Sequence, residues 1–421
     1  MTRTGQIRNR FFGISPRATT AALAIALVLT VVASQAAQAQ TYKVLYNFTG
    51  GQGGGYPLAG LTIDRAGNLY GTASELGNSG DGTVFKLSYK GSEWIFAPLY
   101  SFQGGSDGAG PKAEVTIAPD GVLYGTTFGG GSYAYGTVFN LRPSATSCKT
   151  VLCPWNENLI HAFSGGSDGG YPSSDLVFDR GGNLYGSTSY GGDLQCDAPY
   201  GCGIVYEFKP SSGGWTEMVL YAFQNLIDGN GPSGRVLVDD SGNLYGVTEQ
   251  GGAYNCGTVF HLTQSGSGWS KSTIYTFQCG DDGAYPSGGL VFDPSGNLYG
   301  TTQLKGTGNG GTVFKLTSSG GNWVYSVLYP FDGNGGPTGS LVIDASGHLY
   351  GTTNADGAYQ LGSVFELTPS NGGWTYTSLH DFTGDRDGAN PFGNLTRDAD
   401  GNLYGTTYGG YGEGGVWEIT P

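Results

Sequence analysis

One short string, Gly-Asn-Leu-Tyr-Gly-Thr, recurs along this chain and constrains its fold more than any other feature. It first occurs at residues 67–72, and its seven near copies place a tyrosine every 51 to 61 residues. A period of this length is typical of repeat architectures, in which each copy forms one supersecondary unit. We therefore expect seven equivalent units. Their tyrosines are Tyr70, Tyr124, Tyr185, Tyr245, Tyr299, Tyr350 and Tyr404.

Each unit contains four short runs that are rich in β-branched and aromatic residues and bounded by Gly, Pro, Asn or Asp, as β-strands are. In the first unit these runs are 45–48, 61–64, 69–72 and 82–87. An Asp-x-x-Gly-Asn turn joins run two to run three, and Gly-rich connections join run three to run four and run four to the next run one. These neighbours are predicted to pair as antiparallel hairpins. Only the Asp-Gly-x-x-Pro segment between runs one and two lacks a hairpin pattern.

Four antiparallel strands per unit, repeated seven times without helical periodicity, predict an all-β, seven-bladed β-propeller over residues 40–421. An open β-solenoid is the alternative. The hairpin pairing makes the following run one the outer strand of each blade, so the Asp-Gly-x-x-Pro segment crosses to the next blade. We call this segment the crossing loop. The first strand, Val44 to Phe48, is then predicted to close the ring against Val416 to Ile419.

Residues 1–39 have the pattern of a signal peptide. Four arginines precede an apolar core at 21–33, and Ala-Gln-Ala at 37–39 is a cleavage pattern. No later stretch approaches about 20 continuous apolar residues, so no transmembrane span is expected in the mature chain. We expect an exported protein, periplasmic or extracellular.

The net charge argues against some partners. The chain has 19 Lys+Arg and 33 Asp+Glu, and removing the signal peptide, with its four arginines and no acids, changes −14 to −18. A nucleic acid or an anionic membrane is therefore not an expected partner. Because charged residues make up only 12% of the chain, a solvated exterior explains the acidity better than a basic partner does.

The six cysteines form an even number in a chain expected to be exported, which favours disulfides. Two pairs are close in sequence. The two cysteines of the third pair fall directly opposite each other in the hairpin formed by one run four and the next run one. This coincidence supports that pairing of strands. Metal binding by cysteine is disfavoured because no tight C-x₂-C pair occurs. The predicted disulfides are Cys148–Cys153, Cys196–Cys202 and Cys256–Cys279.

Taken in order, Asp-Gly-x-x-Pro, Leu-x-x-Asp, Gly-Asn-Leu-Tyr-Gly-Thr-Thr and Gly-Thr-Val-Phe-x-Leu resemble the GloVer tandem repeat of exported bacterial proteins, over residues 43–420. More distantly, the Asp-x-x-Gly-Asn-Leu-Tyr hairpin looks like the equivalent turn of NHL-type propellers. The resemblance implies an exported repeat protein of unassigned activity and supplies no catalytic residues. Members often carry a C-terminal sorting anchor. Because this sequence stops at Pro421, directly after the last predicted strand, we expect it to be free of such an anchor.

The sequence offers no convincing catalytic residue. Segments 104–108 and 165–169 match the G-x-S-x-G nucleophile motif, but they lie in crossing loops and not at a strand-to-helix turn. Each histidine replaces a residue of the repeat at a structural position, so none is expected to act as a general base or metal ligand. The histidines are His161, His261, His348 and His380.

An aspartate recurs in the crossing loops of six units. One interpretation is a ring of Ca²⁺ sites; the other is that Asp before Gly caps a turn through its own backbone. Capping is preferred because each loop offers one carboxylate, whereas Ca²⁺ takes about 6–8 oxygens. No cofactor is therefore expected, with Ca²⁺ as the open alternative. The candidates are Asp107, Asp168, Asp228, Asp282, Asp332 and Asp387.

A tryptophan stands five residues before the Leu or Ile of run one in six units. A ring of tryptophans could stack on sugars, but regular recurrence on an outer hairpin more often reflects aromatic packing. We prefer packing. These residues are Trp94, Trp155, Trp215, Trp269, Trp323 and Trp374.

The repeat becomes variable at one position, three residues after the crossing-loop proline. In a propeller this position lies at the start of the inner strand, at the mouth of the central channel. Three consecutive units carry Glu, Asp and Arg there. We hypothesise a polar ligand site formed by Glu114, Asp175, Arg235 and Asn394, against the alternative of drift at a solvated position. The seven residues are Gly60, Glu114, Asp175, Arg235, Gly289, Ser340 and Asn394.

These observations favour a non-catalytic, exported β-propeller, expected to be a monomer, that binds a glycan, a peptide or a cell-envelope protein on its crossing-loop face. The alternative is a carboxylate-dependent glycan hydrolase or lyase that uses Glu114 and Asp175 as acid and base. That alternative requires a deep cleft with the two carboxyl groups about 5 to 9.5 Å apart. A purely structural spacer is a third possibility.

Overall fold

The computed structural model describes residues 40–144, 155–224, 226–266 and 268–420, and the structural statements below concern these residues. The predicted signal peptide and the predicted Cys148–Cys153 disulfide lie outside them. Among the described residues, no helix has the length and apolar character needed to cross a membrane.

Residues 42–420 form seven four-stranded antiparallel sheets arranged in a ring, a seven-bladed β-propeller. Blade 1 contains β2 (Thr62–Ile63), β3 (Leu69–Ala73), β4 (Thr83–Lys90) and β5 (Glu93–Ser101). Blade 2 contains β6 (Thr116–Ile117), β7 (Leu123–Thr127), β8 (Thr137–Pro143) and β9 (Trp155–Ala162). Blade 3 contains β10 (Val177–Phe178), β11 (Leu184–Thr188), β12 (Ile204–Ser211) and β13 (Gly214–Ala222).

The other four blades repeat this order from the inner to the outer strand. Blade 4 contains β14 (Asn230–Val238), β15 (Leu244–Gln250), β16 (Thr258–Ser265) and β17 (Gly268–Thr276). Blade 5 contains β18 (Val291–Phe292), β19 (Leu298–Thr302), β20 (Thr312–Ser319) and β21 (Asn322–Pro330). Blade 6 contains β22 (Val342–Ile343), β23 (Leu349–Thr353), β24 (Ser363–Ser370) and β25 (Gly373–Asp381). Blade 7 contains β26 (Thr396–Arg397), β27 (Leu403–Thr407), β28 (Gly415–Thr420) and β1 (Thr41–Asn47). A short 3₁₀ helix, Gly51–Gly53, follows β1.

The first and last strands of the chain pair with each other and close the ring, as predicted. Beyond the end of β1, the Phe48 amide donates a hydrogen bond to the Gly414 carbonyl at 2.9 Å. The Glu413 amide donates a hydrogen bond to the Phe48 carbonyl, also at 2.9 Å. Closure leaves no unpaired strand edge between the two ends of the chain, which excludes the open solenoid.

The recurring string forms the predicted hairpin through one aspartate. In blade 1, Asp64 Oδ1 accepts the amides of Ala66 and Asn68, each at 2.9 Å. Its Oδ2 accepts the Asn68 side-chain amide at 2.7 Å and the Tyr70 hydroxyl at 3.1 Å. Gly67 takes a φ of +78°, which a side chain would disfavour. The conserved spacing within the string is therefore that of one hydrogen-bonded turn.

The second glycine of the string leaves room for an aromatic ring. A Cβ on Gly71 would lie 2.6 Å from Phe85 Cζ and 2.8 Å from Leu61 Cδ2. In blade 7 the corresponding Gly405 is covered by Trp417, whose Cζ2 would lie 2.3 Å from a Cβ. These rings are buried in the sheet-to-sheet core, so the string is held to glycine here by packing and not by backbone conformation.

The tyrosine of the string packs between blades, against the recurring tryptophan of the next blade. The ring centroids of Tyr70 and Trp155 are 6.4 Å apart, and those of Tyr124 and Trp215 are 5.7 Å apart. Such pairs contribute about 0.5–1.5 kcal/mol beyond area burial. The packing interpretation of the tryptophans is confirmed.

Two disulfides are present among the described residues, and both match the prediction. Cys196 pairs with Cys202, and Cys256 with Cys279, each with a Cα–Cα distance of 5.5 Å. The second bond ties the ends of β16 and β17 together, which is why the hairpin register identified it. Disulfides form in oxidising compartments, so the pair supports export.

Candidate functional site

The crossing loops and the Gly-rich loops between runs three and four lie on the same face of the propeller. Isolated bridges join them: Ala109 of a crossing loop pairs with Gly129, and Gly170 pairs with Tyr190. The Asp-x-x-Gly-Asn turns lie at the opposite ends of the same strands. We call the first surface the crossing-loop face.

Five of the six crossing-loop aspartates cap their loops, and Asp332 is the exception among the described residues. Asp107 Oδ2 accepts the Tyr100 hydroxyl and the Gln103 amide, each at 2.9 Å. Asp282 Oδ2 likewise accepts the Tyr275 hydroxyl at 2.9 Å and the Gln278 amide at 2.8 Å. This arrangement gives a structural reason for the recurrence of the aspartate, and Ca²⁺ binding stays a prediction.

The histidines contact carboxylates or aromatic rings of neighbouring strands and loops. Both G-x-S-x-G segments lie in loops that run from strand to strand. His161 and His380 take the place of the run-one tyrosine and contact the crossing-loop aspartates at 3.2 Å and 3.1 Å. His261 stacks on Tyr245, with ring centroids 4.3 Å apart. His348 Nδ1 lies 3.0 Å from a carboxylate of the neighbouring strand.

The variable position brings together three of the four hypothesised site residues. The Asn394 side-chain amide donates to Asp175 Oδ2 at 2.7 Å and to Glu114 Oε2 at 3.3 Å. The Glu114 amide donates to Asp175 Oδ1 at 2.8 Å, and the Thr62 hydroxyl donates to Glu114 Oε1 at 2.8 Å. Residues from blades 1, 2, 3 and 7 thus converge at the end of the central channel. Glu114 and Asp175 precede the first residue of their inner strands by two positions.

The fourth residue, Arg235, is exposed and makes no ion pair within 4.0 Å among the described residues. Its charge acts on the cluster from a greater distance. Burial and, to a smaller extent, the neighbouring Asp175 carboxylate together raise the pKa of Glu114 to about 7, and the charge of Arg235 acts in the opposite direction. Burial also raises the pKa of Asp175, with Arg235 again opposing. Near neutral pH the buried pair therefore carries fewer than two negative charges.

The small residues at the variable position continue the network around the channel. The Ser340 amide donates to Asn394 Oδ1 at 2.7 Å, and the Gly289 amide donates to Ser340 Oγ at 2.8 Å. A Cβ on Gly60 would lie 2.6 Å from the Asn394 carbonyl oxygen and 3.0 Å from Glu114 Oε2. These are the contacts of a packed polar ring, and they explain why small side chains occupy these positions.

The geometry does not favour glycoside hydrolysis by Glu114 and Asp175. Both carboxylates bond to the same Asn394 nitrogen, at 3.3 Å and 2.7 Å, so these two oxygens lie no more than about 6 Å apart. This upper bound does not by itself exclude a hydrolase, but the Asn394 amide lies between the two oxygens. A glycosidic bond has no place to enter between them.

A pocket of about 330 Å³ lies beside this cluster on the crossing-loop face. Two of its lining residues, Lys112 and Ser173, are two positions before Glu114 and Asp175 in the chain. Hydroxyl, amide, carboxylate and ammonium groups line it together with two aromatic rings. The lining comprises Lys112, Phe128, Ser173, Ser189, Tyr190, Asp197, Asn230, Gly231, Glu249 and Gln250.

The pocket side chains are partly held by one another. Lys112 Nζ lies 3.7 Å from the centroid of the Phe128 ring, and burial lowers the pKa of this lysine. The Asn230 side-chain amide donates to Asp197 Oδ2 at 3.3 Å. Burial raises the pKa of Glu249. Such preorganised polar groups on a partly apolar wall are typical of small-ligand sites.

Aromatic residues extend the pocket wall outward. Tyr171 lies between Phe128, at 5.0 Å, and Tyr190, at 5.6 Å between ring centroids. Tyr135 packs on Tyr171 at 5.3 Å, and Tyr200 packs on Tyr190 at 5.9 Å. A continuous aromatic surface therefore runs over blades 2 and 3 from the pocket to the rim.

Exposed tyrosines on the Gly-rich loops were missed by the sequence reasoning, which treated these loops as turns. Five of the seven blades carry one, and each side chain is more than half exposed. The available signal was a fixed offset: each tyrosine stands three residues before the glycine at the start of run four, which is Gly136, Gly203, Gly257, Gly362 or Gly414. These residues are Tyr133, Tyr200, Tyr254, Tyr359 and Tyr411.

Sequence and structure comparisons locate the chain among known proteins. The family model of the Gloeobacter/Verrucomicrobia repeat matches residues 30–197, 156–338 and 273–421, which together extend to the last residue. No curated protein matches the sequence.

Among solved structures, the extracellular domain of a B. thetaiotaomicron protein described as a one component system superposes with a TM-score of 0.52 at 11% identity. The match covers 90% of this chain, which spans 40% of the length of that chain. A Bacteroides uniformis structure titled as a 6-phosphogluconolactonase gives a TM-score of 0.51 at 12% identity, covering 83% of this chain and 89% of that chain. At such identities the likeness concerns the propeller fold alone.

Proposed function

This chain belongs to the Gloeobacter/Verrucomicrobia repeat family, and we propose that its repeats build an exported, monomeric, non-catalytic module that binds a glycan on the crossing-loop face. The observation that carries this proposal is the pocket of about 330 Å³ between blades 2, 3 and 4, with the aromatic surface that leads to it. The module would act in the periplasm or outside the cell.

The chemistry of the pocket suits a sugar. A sugar ring has an apolar face of C–H groups and a rim of hydroxyls, each of which can donate and accept hydrogen bonds. Tyr190 and Phe128 offer aromatic faces for the apolar side. Asp197, Asn230 and Glu249 offer acceptors and donors for the hydroxyls. A pocket of this volume holds one or two sugar units, and the tyrosines beyond it provide stacking surfaces for a longer chain.

A glycan is preferred over a peptide or an envelope protein. A stable protein partner would need about 800 Å² of complementary surface on each side, with a well-packed apolar centre. Beyond the aromatic surface of blades 2 and 3, the exposed loop tyrosines lie singly on the glycine-rich loops of blades 4, 6 and 7. Peptide and protein binding are the other outcomes of the test below.

The polar site predicted from the variable position is kept, but only one of its residues is proposed to contact the ligand. In this proposal Glu114, Asp175 and Asn394 form the floor that holds the pocket strands in place. Arg235, the exposed member, supplies a cation for an acidic sugar or another anionic group of the ligand. Neutral glycans would then not depend on Arg235, whereas uronic acids would.

The test is a glycan array probed with the purified protein, with and without Ca²⁺, followed by titration calorimetry with the best oligosaccharide. We expect Tyr190→Ala and Asn230→Ala to weaken binding at least tenfold, because they remove the stacking face and a hydroxyl partner. Tyr359→Ala, an exposed tyrosine in blade 6, is the matched control and should bind as the wild type does. Release of reducing ends from the oligosaccharide would contradict the non-catalytic assignment. Binding of a peptide or protein with no response to glycans would contradict the ligand class.

A further inference from the structure

One position on the outer strands faces the preceding blade in every unit. In six units it lies two residues after the recurring tryptophan, and in blade 7 it is Tyr42; it contacts the run-one residue or the crossing loop of the blade before it. We call it the interblade position. Aromatic residues usually fill it: Phe96 stacks on Tyr46 at 4.0 Å, and Tyr325 stacks on Tyr275 at 4.1 Å. The position is therefore a packed contact between neighbouring blades.

In blade 4 the same position holds a buried cation. Lys271 is 4% exposed, and its Nζ lies 2.8 Å from Asp228 Oδ1 in the crossing loop. It also donates to the Asp228 carbonyl and to the Thr273 hydroxyl, the latter at 2.9 Å. The crossing-loop aspartate and its surroundings thus accommodate a positive charge at this position.

In blade 3 the charge at this position is reversed. Glu217 occupies it, with Oε2 at 3.5 Å from His161 Nε2, while Asp168 Oδ2 lies 3.2 Å from the same nitrogen. The other oxygen of Glu217 is buried and has no hydrogen-bond partner among the described residues. Two carboxylates therefore face one imidazole nitrogen where blade 4 places an ammonium.

We propose that His161, Asp168 and Glu217 bind a divalent transition-metal ion of the zinc class between blades 2 and 3. Their three ligand atoms lie within 4.8 Å of one another. Zinc ligands at about 2.0–2.2 Å in a tetrahedron are about 3.3–3.6 Å apart. The distances from His161 Nε2 to the two carboxylates, 3.2 Å and 3.5 Å, match this spacing.

The donor set and access favour zinc over calcium. Calcium takes six to eight oxygen ligands, whereas an imidazole with two carboxylates suits zinc. The three side chains are 18% to 22% exposed, so an ion and a water in the fourth position can reach them. The neighbouring cavity of about 510 Å³ is lined by Asp168, Asp193 and Glu217 and opens on this side.

The equivalent positions of two other blades lack one of the three proposed ligands. His380 contacts Asp387 at 3.1 Å. The interblade residue of blade 7, Tyr42, stacks on this histidine with ring centroids 3.8 Å apart. Tyr42 offers no carboxylate, so the described residues supply no third ligand there. In blade 2 the interblade residue is Glu157, which faces Asp107 and a tyrosine in place of a histidine.

His348 Nδ1 in blade 6 also lies near two carboxylates, Asp344 at 3.5 Å and Glu366 at 3.0 Å. Among the described residues, however, only His161, Asp168 and Glu217 place three ligand atoms within 4.8 Å of one another.

The test uses the purified full chain, stripped with EDTA and dialysed. Titration calorimetry with ZnCl₂ and the visible absorption of Co²⁺ should show one ion per chain. His161→Gln and Glu217→Gln should weaken Zn²⁺ binding at least tenfold, whereas His380→Gln and His348→Gln should leave it unchanged.

A charge-restoring variant tests the same site without removing a buried group. Glu217→Lys reproduces the arrangement of Lys271, so it should fold, lose Zn²⁺ binding and show a Tm that does not respond to Zn²⁺ or EDTA. The wild-type Tm should rise with Zn²⁺. Unchanged Zn²⁺ affinity in His161→Gln and Glu217→Lys, equal loss in His380→Gln, or a wild type that binds Ca²⁺ in preference to Zn²⁺ would each overturn the proposal.

Discussion

The side-chain amide of Asn394 in blade 7 donates a 2.7 Å hydrogen bond to the Asp175 carboxylate in blade 3, across 219 positions of sequence. The same nitrogen reaches Glu114 of blade 2 at 3.3 Å. One amide thus ties three blades together around the central channel. This contact connects the stability of the ring to the charge of two buried carboxyl groups, and it sets the first two predictions.

Asn394→Ala should lower the free energy of unfolding by about 1–3 kcal/mol, because it leaves two buried carboxylates without a shared donor. Urea denaturation at neutral pH, followed by tryptophan fluorescence, measures the change. Asn78→Ala, at an exposed loop position, is the control and should change stability by less than about 0.5 kcal/mol. Equal effects from the two variants would show that the channel network does not stabilise the ring.

Glu114 should make the protein less stable as pH rises. Its pKa in the folded state is raised to about 7 by burial and by Asp175, from an ordinary value of 4.5. Between these values the folded state holds a proton that the unfolded state has lost, so the free energy of unfolding falls with rising pH across that window and levels off above it. Glu114→Gln removes the part of the pH dependence of the free energy of unfolding that comes from this carboxyl group.

The measurement is urea denaturation of the wild type and of Glu114→Gln at pH 5 and pH 8. The wild type should lose more stability between the two pH values than the variant does. Glu157, whose pKa burial also raises to about 7, is present in both proteins and cancels in the comparison. Parallel pH profiles would show that Glu114 is ionised in the folded state at pH 5.

Gly71→Ala should destabilise the protein by about 1–3 kcal/mol, because the new Cβ overpacks the core. It would lie 2.6 Å from Phe85 Cζ and 2.8 Å from Leu61 Cδ2. Gly105→Ala is the matched control, since it has no atom within 4 Å of a Cβ and no positive φ. Thermal unfolding of both variants checks the prediction, and an undiminished Tm in Gly71→Ala would contradict the packing argument.

Removing the Cys256–Cys279 disulfide should cost more stability than removing Cys196–Cys202. The two bonds close segments with sequence separations of 23 and 6. Loop entropy then predicts losses of about 3 and about 2 kcal/mol, respectively. Double Cys→Ser variants of each pair, compared by urea denaturation under non-reducing conditions, test the order. A larger loss for the shorter loop would show that the loop-entropy model does not describe these bonds.

Much of the fold could be predicted because its determinants are local in the chain. Asp64, Gly67 and Asn68 define a turn within five residues, and its recurrence gives the number of blades. The hairpin between β16 and β17 also identified the Cys256–Cys279 pair. The pocket could not be predicted in this way. Its walls come from loops of different blades, and only the closed ring brings these loops together.

By itself, the sequence determined the strands, their pairing, the closure of the ring and the variable position at the channel mouth. All of these follow from spacing along the chain and from hairpin geometry. Tertiary structure alone decided that Asn394 bridges Glu114 and Asp175, that Arg235 stays apart and exposed, and that Glu217 meets His161 and Asp168. The physical reason is that these contacts join different blades, so they depend on how the closed ring brings the strands together.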